Sequence, residues 1–280
     1  MTVMLDGRKA RDSYKVALKE RSDALVRAGI KPRLAIIQIG DNSESSVYIE
    51  QKKKFGAEVG AAVDHVKFAS DMSEKDVSAA IAELNARGDI HGIIVQLPLP
   101  AGFDVSRLVG LVAPEKDVDG LVDGSAFMPA TAKGVMMLLD FYGVEPRGKM
   151  SVVFGRSRLV GQPIASALRT RGASVSVCHS QTPNPKEISR AADIVVVAIG
   201  KRELIDASYI KDGAVVVDVG MHAVVDGGRR LVGDVDRASV APKASAITPV
   251  PGGVGPMTVL ALFDNLISSA ERLSAHKNLY

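Results

Sequence analysis

A tyrosine and a lysine stand four residues apart in a segment that is expected to be helical. Residues 41–46 include several that favour helix N-caps, so Tyr48 and Lys52 should share one face of the helix that follows. If Lys52 faces a cleft, partial desolvation and its cationic neighbours lower its pKa, which suits general acid–base catalysis. Three consecutive lysines, 52–54, are also typical of a solvated helix face, and both interpretations stay open at this point.

An amide and two carboxylates follow at positions where ligands collect in α/β proteins. Gln96 ends the apolar run 92–95, and two prolines within the next four residues prevent strand pairing beyond it. It is therefore expected at the carboxyl end of a buried strand. Asp117 and Asp119 precede Gly120 in an extended stretch, which is either a charged turn or a means of aiming one carboxylate into a cleft.

A glycine-containing turn in the second half has the form of an anion site. The apolar run 152–154 breaks at Gly155, and a polar loop then leads through Gly161 to Pro163, which suits the first turn of a helix. Backbone N–H groups at such a helix start bind phosphates. The spacing is G-x-x-x-x-x-G rather than G-x-G-x-x-G, so the motif alone fits either a dinucleotide turn or a plain strand–turn–helix.

The elements around these residues indicate two α/β domains. In the first half, strands are expected at 33–40, 62–68 and 92–95, with helices at 6–28 and 73–86. In the second half, apolar runs alternate with polar or helical connections, as in a parallel doubly wound sheet. These runs are 174–177, 194–198, 214–219 and 246–248. A boundary is expected near 120–129, where Asp, Gly, Ser and Pro cluster.

Bulk composition excludes several classes of protein. With 280 residues, 46% of them hydrophobic, and a formal net charge of +3, the chain can bury one large core or two smaller ones and does not suggest nucleic-acid binding. The single cysteine, Cys178, and five scattered histidines give no metal-ligand spacing, so no metal site is expected. We expect Cys178 to be a small buried hydrophobe at a strand end.

The N-terminus lacks a signal sequence and no apolar run is long enough to span a bilayer, so a soluble, cytoplasmic protein is expected.

Six segments, in this order along the chain, resemble one known family. The segments are Tyr48-x-x-x-Lys52, Val95-Gln96-Leu97-Pro98-Leu99-Pro100, Lys116-Asp117-Val118-Asp119-Gly120, Gly155-Arg156-Ser157-x-x-Val160-Gly161-x-Pro163, Cys178-His179-Ser180 and Thr248-Pro249-Val250-Pro251-Gly252-Gly253-Val254-Gly255-Pro256-Met257-Thr258. Together they resemble the bifunctional methylenetetrahydrofolate dehydrogenase/methenyltetrahydrofolate cyclohydrolase family, over nearly the whole chain.

The resemblance implies a fold and two reactions. It implies an N-terminal α/β folate-binding catalytic domain at 1–122, completed by a helix at 256–273 that packs back on it, and an NADP-binding Rossmann-like domain at 123–255. The reactions are oxidation of 5,10-methylenetetrahydrofolate with NADP and hydrolysis of the methenyl product to 10-formyltetrahydrofolate. One-carbon metabolism, purine biosynthesis and a homodimer are implied as well.

The resemblance also implies roles for the residues of the folate site. Lys52 would be the general acid/base, Gln96 its hydrogen-bonding partner, and Tyr48 an aromatic wall over the folate. Asp119 would accept N–H bonds from the pterin, so it and Tyr48 would also bind substrate. Each role suits the residue type. Backbone would approach the folate at Pro251, Gly252 and Gly253.

NADP is expected rather than NAD, partly from the residues themselves. NAD-preferring sheets usually carry an acid at the end of the second strand, whereas this strand ends in residues 177–180 with no acid. Arg156 in the glycine turn and Ser180 would instead receive the 2′-phosphate. The expected cofactor-binding residues are Gly155, Arg156, Ser157, Val160, Gly161, His179, Ser180 and Thr248.

One segment departs from the family, and two alternatives to the family remain open. Members often carry Pro-Cys-Thr-Pro-x-Gly after the domain boundary, whereas this chain has Pro-Ala-Thr-Ala-Lys-Gly at 129–134, after a short connection from Asp119. A short-chain dehydrogenase also uses Tyr-x-x-x-Lys, but there the glycine turn precedes the pair, and here Tyr48 precedes Gly155. A monofunctional member or a catalytically silent nucleotide-binding module is the other alternative; a silent module leaves Gln96 and Asp119 unexplained.

Overall fold

A computed structural model of the chain describes residues 1–225 and 229–277. Within these residues the strands are β1 (Val3–Met4), β2 (Arg33–Ile39), β3 (Ala62–Phe68), β4 (Gly92–Val95), β5 (Met150–Phe154), β6 (Ser174–Cys178), β7 (Ile194–Val197), β8 (Val215–Asp218), β9 (His222–Val225), β10 (Arg229–Val232) and β11 (Ala246–Ile247). The helices are α1 (Gly7–Arg27), α2 (Ser43–Glu58), α3 (Glu74–Ala86), α4 (Val105–Gly110), α5 (Ala130–Phe141), α6 (Gly161–Thr170), α7 (Pro185–Arg190), α8 (Arg237–Val240) and α9 (Val254–Lys277), with a 3-10 turn at Ala207–Tyr209.

The chain divides into two compact units. Unit 1 consists of Met1–Ser13 and Thr131–Thr258, and unit 2 of Tyr14–Ala130 and Val259–Tyr280. The two-domain α/β fold expected from the sequence is confirmed. The N-terminal residues belong to unit 1 because β1 pairs in parallel with β11, which was not expected. The predicted division at 122/123, which concerns folate and NADP binding, stays a prediction.

Unit 1 is built on a parallel sheet in the order β1-β11-β8-β7-β5-β6. The predicted runs 174–177, 194–198, 214–219 and 246–248 match strands to within one residue at either end, whereas β5 begins two residues before the predicted run 152–154. Apolar runs of this kind mark parallel strands clearly. The chain passes from β5 to β6 on one side and then returns to β7 on the other side of β5. Such a reversal leaves a crevice at the carboxyl ends of the strands, here those of β5 and β7, where nucleotides bind.

An antiparallel pair, β9 and β10, lies apart from the six-stranded sheet and was not expected from the sequence. Strands of four residues are too short to give a strong periodic signal on their own.

Unit 2 contains a three-stranded parallel sheet with β2 between β3 and β4. Buried aliphatic side chains of β2, β4 and α3 form its core on one face, among them Ile37, Ile81 and Ile93. The sequence places the two long helices that follow β2 and β3 by their caps. Asn42 accepts a hydrogen bond from the backbone of α2, and Ser73 does the same for α3.

The C-terminal helix α9 covers unit 2, as expected. Phe263 is fully buried and packs edge-on against Phe55 with ring centroids 5.4 Å apart. A side chain at Gly56 would lie 3.1 Å from the Phe263 ring, so glycine allows this close approach. The helix runs from Val254 rather than 256 because Pro256 falls in its first turn, where no N–H is needed, and it continues past 273.

No helix in the described part of the chain combines the length and the apolar character needed to cross a bilayer.

Candidate active site

A side-chain hydrogen bond in unit 2 joins α2 to the residue that follows β4. Nζ of Lys52 donates a hydrogen bond to Oε1 of Gln96 at 2.6 Å. Its neighbour Lys53 instead pairs with Glu50 one turn earlier on the same helix, at 2.7 Å. Lys52 is therefore not part of a solvated basic face, and the general acid–base interpretation is favoured.

The surroundings of Lys52 set its proton affinity. Burial lowers the pKa of the Lys52 amine, and the negative charge of Asp119 opposes this by raising it. Burial likewise raises the pKa of Asp119, against the effect of the lysine. Tyr48, one turn before Lys52, is half-buried, and burial together with Glu44 raises its pKa. The unit thus brings together an amine, an amide, a carboxylate and a phenol in a partly desolvated place.

The turn that carries Asp119 is held by the preceding acid. Asp117 is buried, and its carboxylate accepts hydrogen bonds from the backbone of Gly120 at 3.1 Å and Val122 at 2.8 Å. From α9, the amide of Asn265 donates to the backbone oxygen of Val118 at 2.9 Å. The two acids therefore have different roles. Asp117 holds the turn by accepting backbone hydrogen bonds, and the negative charge of Asp119 acts on Lys52.

Sequence patterns gave no indication of a polar pair, the buried Gln38 and the half-buried His65, beneath α2. Gln38 is 2% exposed on β2, where it accepts a hydrogen bond from Nε2 of His65 at 2.9 Å and donates to Ser46 on α2 at 3.3 Å. It joins the sheet to the first turn of the helix that carries Tyr48 and Lys52. A lone glutamine inside the apolar run 33–39 was the available signal.

The glycine turn of unit 1 is closely packed. Gly155 has φ +113°, and a side chain there would lie 2.2 Å from the carbonyl oxygen of Ala198, after β7. A side chain at Gly161 would lie 2.2 Å from the oxygen of Gly155. Ser157 accepts a hydrogen bond from the Gly161 N–H at 3.3 Å. Both glycines are required for the turn, which explains why an unusual spacing still forms it.

The loop after β6 meets this turn through an arginine. Arg156 and Ser180 are exposed, and the Arg156 guanidinium donates to Gln181 at 3.2 Å. Nδ1 of His179 accepts from the Gln181 N–H at 3.2 Å. Arg156 thus reaches the strand end where an acid is absent. Cys178 is buried at the end of β6, as expected, and burial raises its pKa.

The remaining predicted cofactor and substrate residues are engaged with the protein itself. Thr248 is buried, and its hydroxyl accepts a hydrogen bond from the Asp218 N–H at 2.8 Å. The oxygen of Gly252 accepts from the Gly7 N–H at 2.8 Å. The oxygen of Val160 accepts from the Ile164 N–H at 3.1 Å, and a side chain at Gly253 would lie 2.7 Å from Thr248. These residues and Pro251, like the other predicted site residues, stay predictions as ligand-binding residues.

Two family models together cover most of the chain. Residues 5–119 match the model described as tetrahydrofolate dehydrogenase/cyclohydrolase, catalytic domain, and residues 129–274 match its NAD(P)-binding domain. The chain belongs to the tetrahydrofolate dehydrogenase/cyclohydrolase family. Lys52, Gln96 and Asp119 fall in the catalytic domain of the family, and the turn 155–161 falls in its NAD(P)-binding domain.

Relatives match over almost their full length. The chain is 44% identical to the bifunctional protein FolD of Campylobacter curvus, over 99% of this chain and 98% of that protein. Its fold is similar to the crystal structure of the FolD methylenetetrahydrofolate dehydrogenase/cyclohydrolase from Campylobacter jejuni, with a TM-score of 0.93, 38% identity, and coverage of 97% and 99% of the two chains. It is also similar to the Trypanosoma brucei enzyme complexed with NADP and an inhibitor, with a TM-score of 0.92, 37% identity, and coverage of 97% and 98%.

Proposed function

We propose that the chain oxidises 5,10-methylenetetrahydrofolate with NADP and hydrolyses the resulting methenyl compound to 10-formyltetrahydrofolate. Family membership supports both reactions. The observation that carries the proposal is the 2.6 Å bond between Lys52 and Gln96 beside Asp119 in a partly desolvated place. A silent nucleotide-binding module would have no use for an amine whose pKa is lowered in this way.

In the hydrolysis, Lys52 acts as the general base and then as the general acid. Its neutral amine takes a proton from the water that adds to the methenyl carbon. As the bond between that carbon and N5 breaks, the hydroxyl of the adduct releases its proton to solvent and becomes the oxygen of the formyl group on N10, and the ammonium returns the first proton to N5. Gln96 fixes the position of the amine because its Oε1 accepts a hydrogen bond from one amine N–H. Asp119 binds N–H groups of the pterin, and Tyr48 covers the folate ring.

In the oxidation, the main task of the protein is to hold two rings face to face. NADP supplies the hydride acceptor. The N–H groups of the turn from Gly155 to Gly161 receive its phosphates, in keeping with their place at the start of α6. Arg156 and Ser180 receive the 2′-phosphate, which a strand end without an acid leaves room for. No proton transfer by a side chain is needed in this step.

The experiment that tests the proposal is a spectroscopic assay of both reactions on the native chain and on Lys52→Ala. We expect the native chain to perform both, and the variant to lose hydrolysis by at least about a hundredfold, the usual contribution of a general acid–base. Lys53→Ala is the matched control, because its amine pairs with Glu50 on the surface, and it should keep both reactions. A native chain that shows neither reaction would overturn the proposal.

The assembly and cellular setting are part of the same proposal. The chain forms a homodimer in the cytoplasm and serves one-carbon metabolism, including purine biosynthesis, as its resemblance to bifunctional enzymes supports. Sedimentation at micromolar concentration is the test of assembly, and a monomer under those conditions contradicts the dimer.

A further inference from the structure

A buried carboxylate holds the backbone at the carboxyl end of β7. Asp234 is fully buried, and one oxygen of its carboxylate, Oδ2, accepts hydrogen bonds from the N–H groups of Ile199 at 2.8 Å and Gly200 at 2.9 Å. These two residues directly follow Ala198, whose carbonyl lies against Gly155. The loop 198–200 is thus one wall of the crevice between the ends of β5 and β7, where a nucleotide belongs.

Asp234 is itself fixed from two sides by backbone packing. Asp218, at the end of β8, accepts hydrogen bonds from the N–H groups of Asp234 and Val235, each at 3.0 Å. A side chain at Gly220 would lie 2.3 Å from the Asp234 carboxyl carbon, and one at Gly233 would lie 1.8 Å from an oxygen of Asp218. Two glycines therefore make room for two carboxylates, which is an unusual arrangement for residues that only fill a core.

A histidine occupies the second oxygen of Asp234. Nε2 of His222, at the start of β9, lies 2.7 Å from Oδ1, while Oδ2 serves the loop 199–200. With Nε2 as donor, the ring fixes the rotation of the carboxylate about its own axis. His222 on β9, the Asp234 carboxylate and the N–H groups of residues 199–200 thus form a series of hydrogen bonds that ends at the crevice.

The alternative is that this cluster only stabilises unit 1. For a purely stabilising role it is enough that the carboxylate accepts hydrogen bonds from buried donors, wherever in the core they lie. Here both donors belong to the loop beside the glycine turn, and a shift of that loop changes the wall of the nucleotide crevice. A change of this kind weakens cofactor binding without disturbing unit 2, where hydrolysis takes place.

We propose that Asp234 is a positioning residue for the dehydrogenase: it holds the loop 199–200 in the geometry that NADP binding requires, and His222 orients its carboxylate. This inference rests on the proposed NADP-dependent activity. Hydrolysis of methenyltetrahydrofolate does not consume NADP, so the two reactions of one protein separate a positioning role from general stability.

The test measures the Kd of NADP by calorimetry, the KM for NADP and kcat of oxidation, and hydrolysis without NADP. Asp234→Ala is expected to raise the Kd and KM at least about tenfold while hydrolysis stays within about twofold, since two charge-assisted hydrogen bonds to the loop are lost. Asp234→Asn should recover most of the affinity because one amide oxygen can accept both N–H groups. His222→Ala should raise the Kd about threefold, and His222→Gln should restore it.

Asp193→Ala is the control. Asp193 precedes β7 at the opposite end of the same strand, where it accepts a hydrogen bond from the Met150 N–H at 2.9 Å, and its loss should leave the Kd unchanged. An unaltered Kd in folded Asp234→Ala, or a parallel loss of hydrolysis and oxidation, overturns the inference. If Asp234→Ala does not fold, the same measurements on Asp234→Asn and the two His222 variants decide, and an unaltered Kd in folded His222→Ala then overturns the inference. A native chain that binds NADP without oxidising folate contradicts the proposed function alone, and one that does not bind NADP overturns both.

Discussion

Adjacent lysines on α2 have opposite environments. Successive residues of an α-helix are rotated by about 100°, so Lys52 turns inward to Gln96 while Lys53 turns outward to Glu50. A charged run is usually a solvated face, and here two of its members separate into a partly desolvated amine bonded to Gln96 and a surface ion pair. The environment of a side chain, rather than its type, decides which lysine can exchange protons at useful pH.

The pH dependence of hydrolysis should report the charge of Asp119. The neutral amine of Lys52 is the active base, so kcat rises with pH through the pKa of that amine. Asp119 raises this pKa against the effect of burial, so Asp119→Asn should lower it further and move the rising limb of the profile to lower pH. The measurement is kcat at saturating folate against pH, corrected for the spontaneous reaction; a limb displaced to higher pH contradicts it.

Cofactor preference should depend on one guanidinium. Removing it in Arg156→Ala takes away a charged partner of the 2′-phosphate, so we expect the KM for NADP to rise by about tenfold or more and the KM for NAD to change little. Rates with both cofactors give the ratio. Arg158→Ala, two positions along the same turn, is the control, and equal losses for both cofactors would refute the role of Arg156.

At the scale of elements, helix ends and turns position the reactive groups. Lys116 is buried and its Nζ donates to the backbone oxygens of Asn85 at 2.6 Å and Arg87 at 2.7 Å, where α3 ends. Asn265 on α9 donates to the oxygens of Val118 at 2.9 Å and Met128 at 3.0 Å, on either side of the segment that contains the Asp119 turn. Both residues anchor the chain near Asp119.

Loss of the Asn265 amide should therefore loosen that segment. Asn265→Ala leaves two carbonyl oxygens, that of Val118 being buried, without this donor, and we expect the free energy of unfolding to fall by about 1–3 kcal/mol. Urea denaturation followed by circular dichroism is the measurement. The Ser274 hydroxyl, on the same helix, donates to the backbone oxygen of Glu271, so Ser274→Ala should cost less than about 0.5 kcal/mol. Equal effects of the two substitutions would contradict the anchoring role.

The sequence predicts regular elements well and long-range polar pairs poorly. The buried runs of both sheets and the contact of Lys52 with Gln96 follow from strand patterns and the resemblance. The two-residue strand β1 is too short to have a period, and its partner lies more than two hundred residues away. Asp234 and His222 are separated from Ile199 along the chain, so only the folded structure reveals that they serve one loop.

At the scale of the molecule, two helices belong to both units. The division at 13/14 falls within α1, and the division at 258/259 falls within α9. Unit 2 depends on α9 for the buried residues Phe263, Leu266 and Ile267. Neither unit is therefore a continuous piece of the chain.

A fragment of residues 1–253 should accordingly fail to form unit 2. Without α9, the cavity left beside Phe55 and Gly56 exposes a large apolar surface, and we expect loss of hydrolysis and of the cooperative unfolding transition. Calorimetry and the hydrolysis assay test this. Adding the peptide 254–280 in trans is the complementary measurement; retained hydrolysis in the fragment alone contradicts the dependence on α9.

Because α1 and α9 are each divided between the two units, recombination between related genes cannot exchange one unit for another cleanly. A single crossover between two such genes cannot join unit 1 of one parent to unit 2 of the other, since unit 1 needs codons 1–13 and 131–258, and unit 2 needs codons 14–130 and 259–280. Exchange of one activity for another by recombination would produce mismatched helices. The two units are therefore expected to change together, by substitution at individual positions rather than by the shuffling of modules.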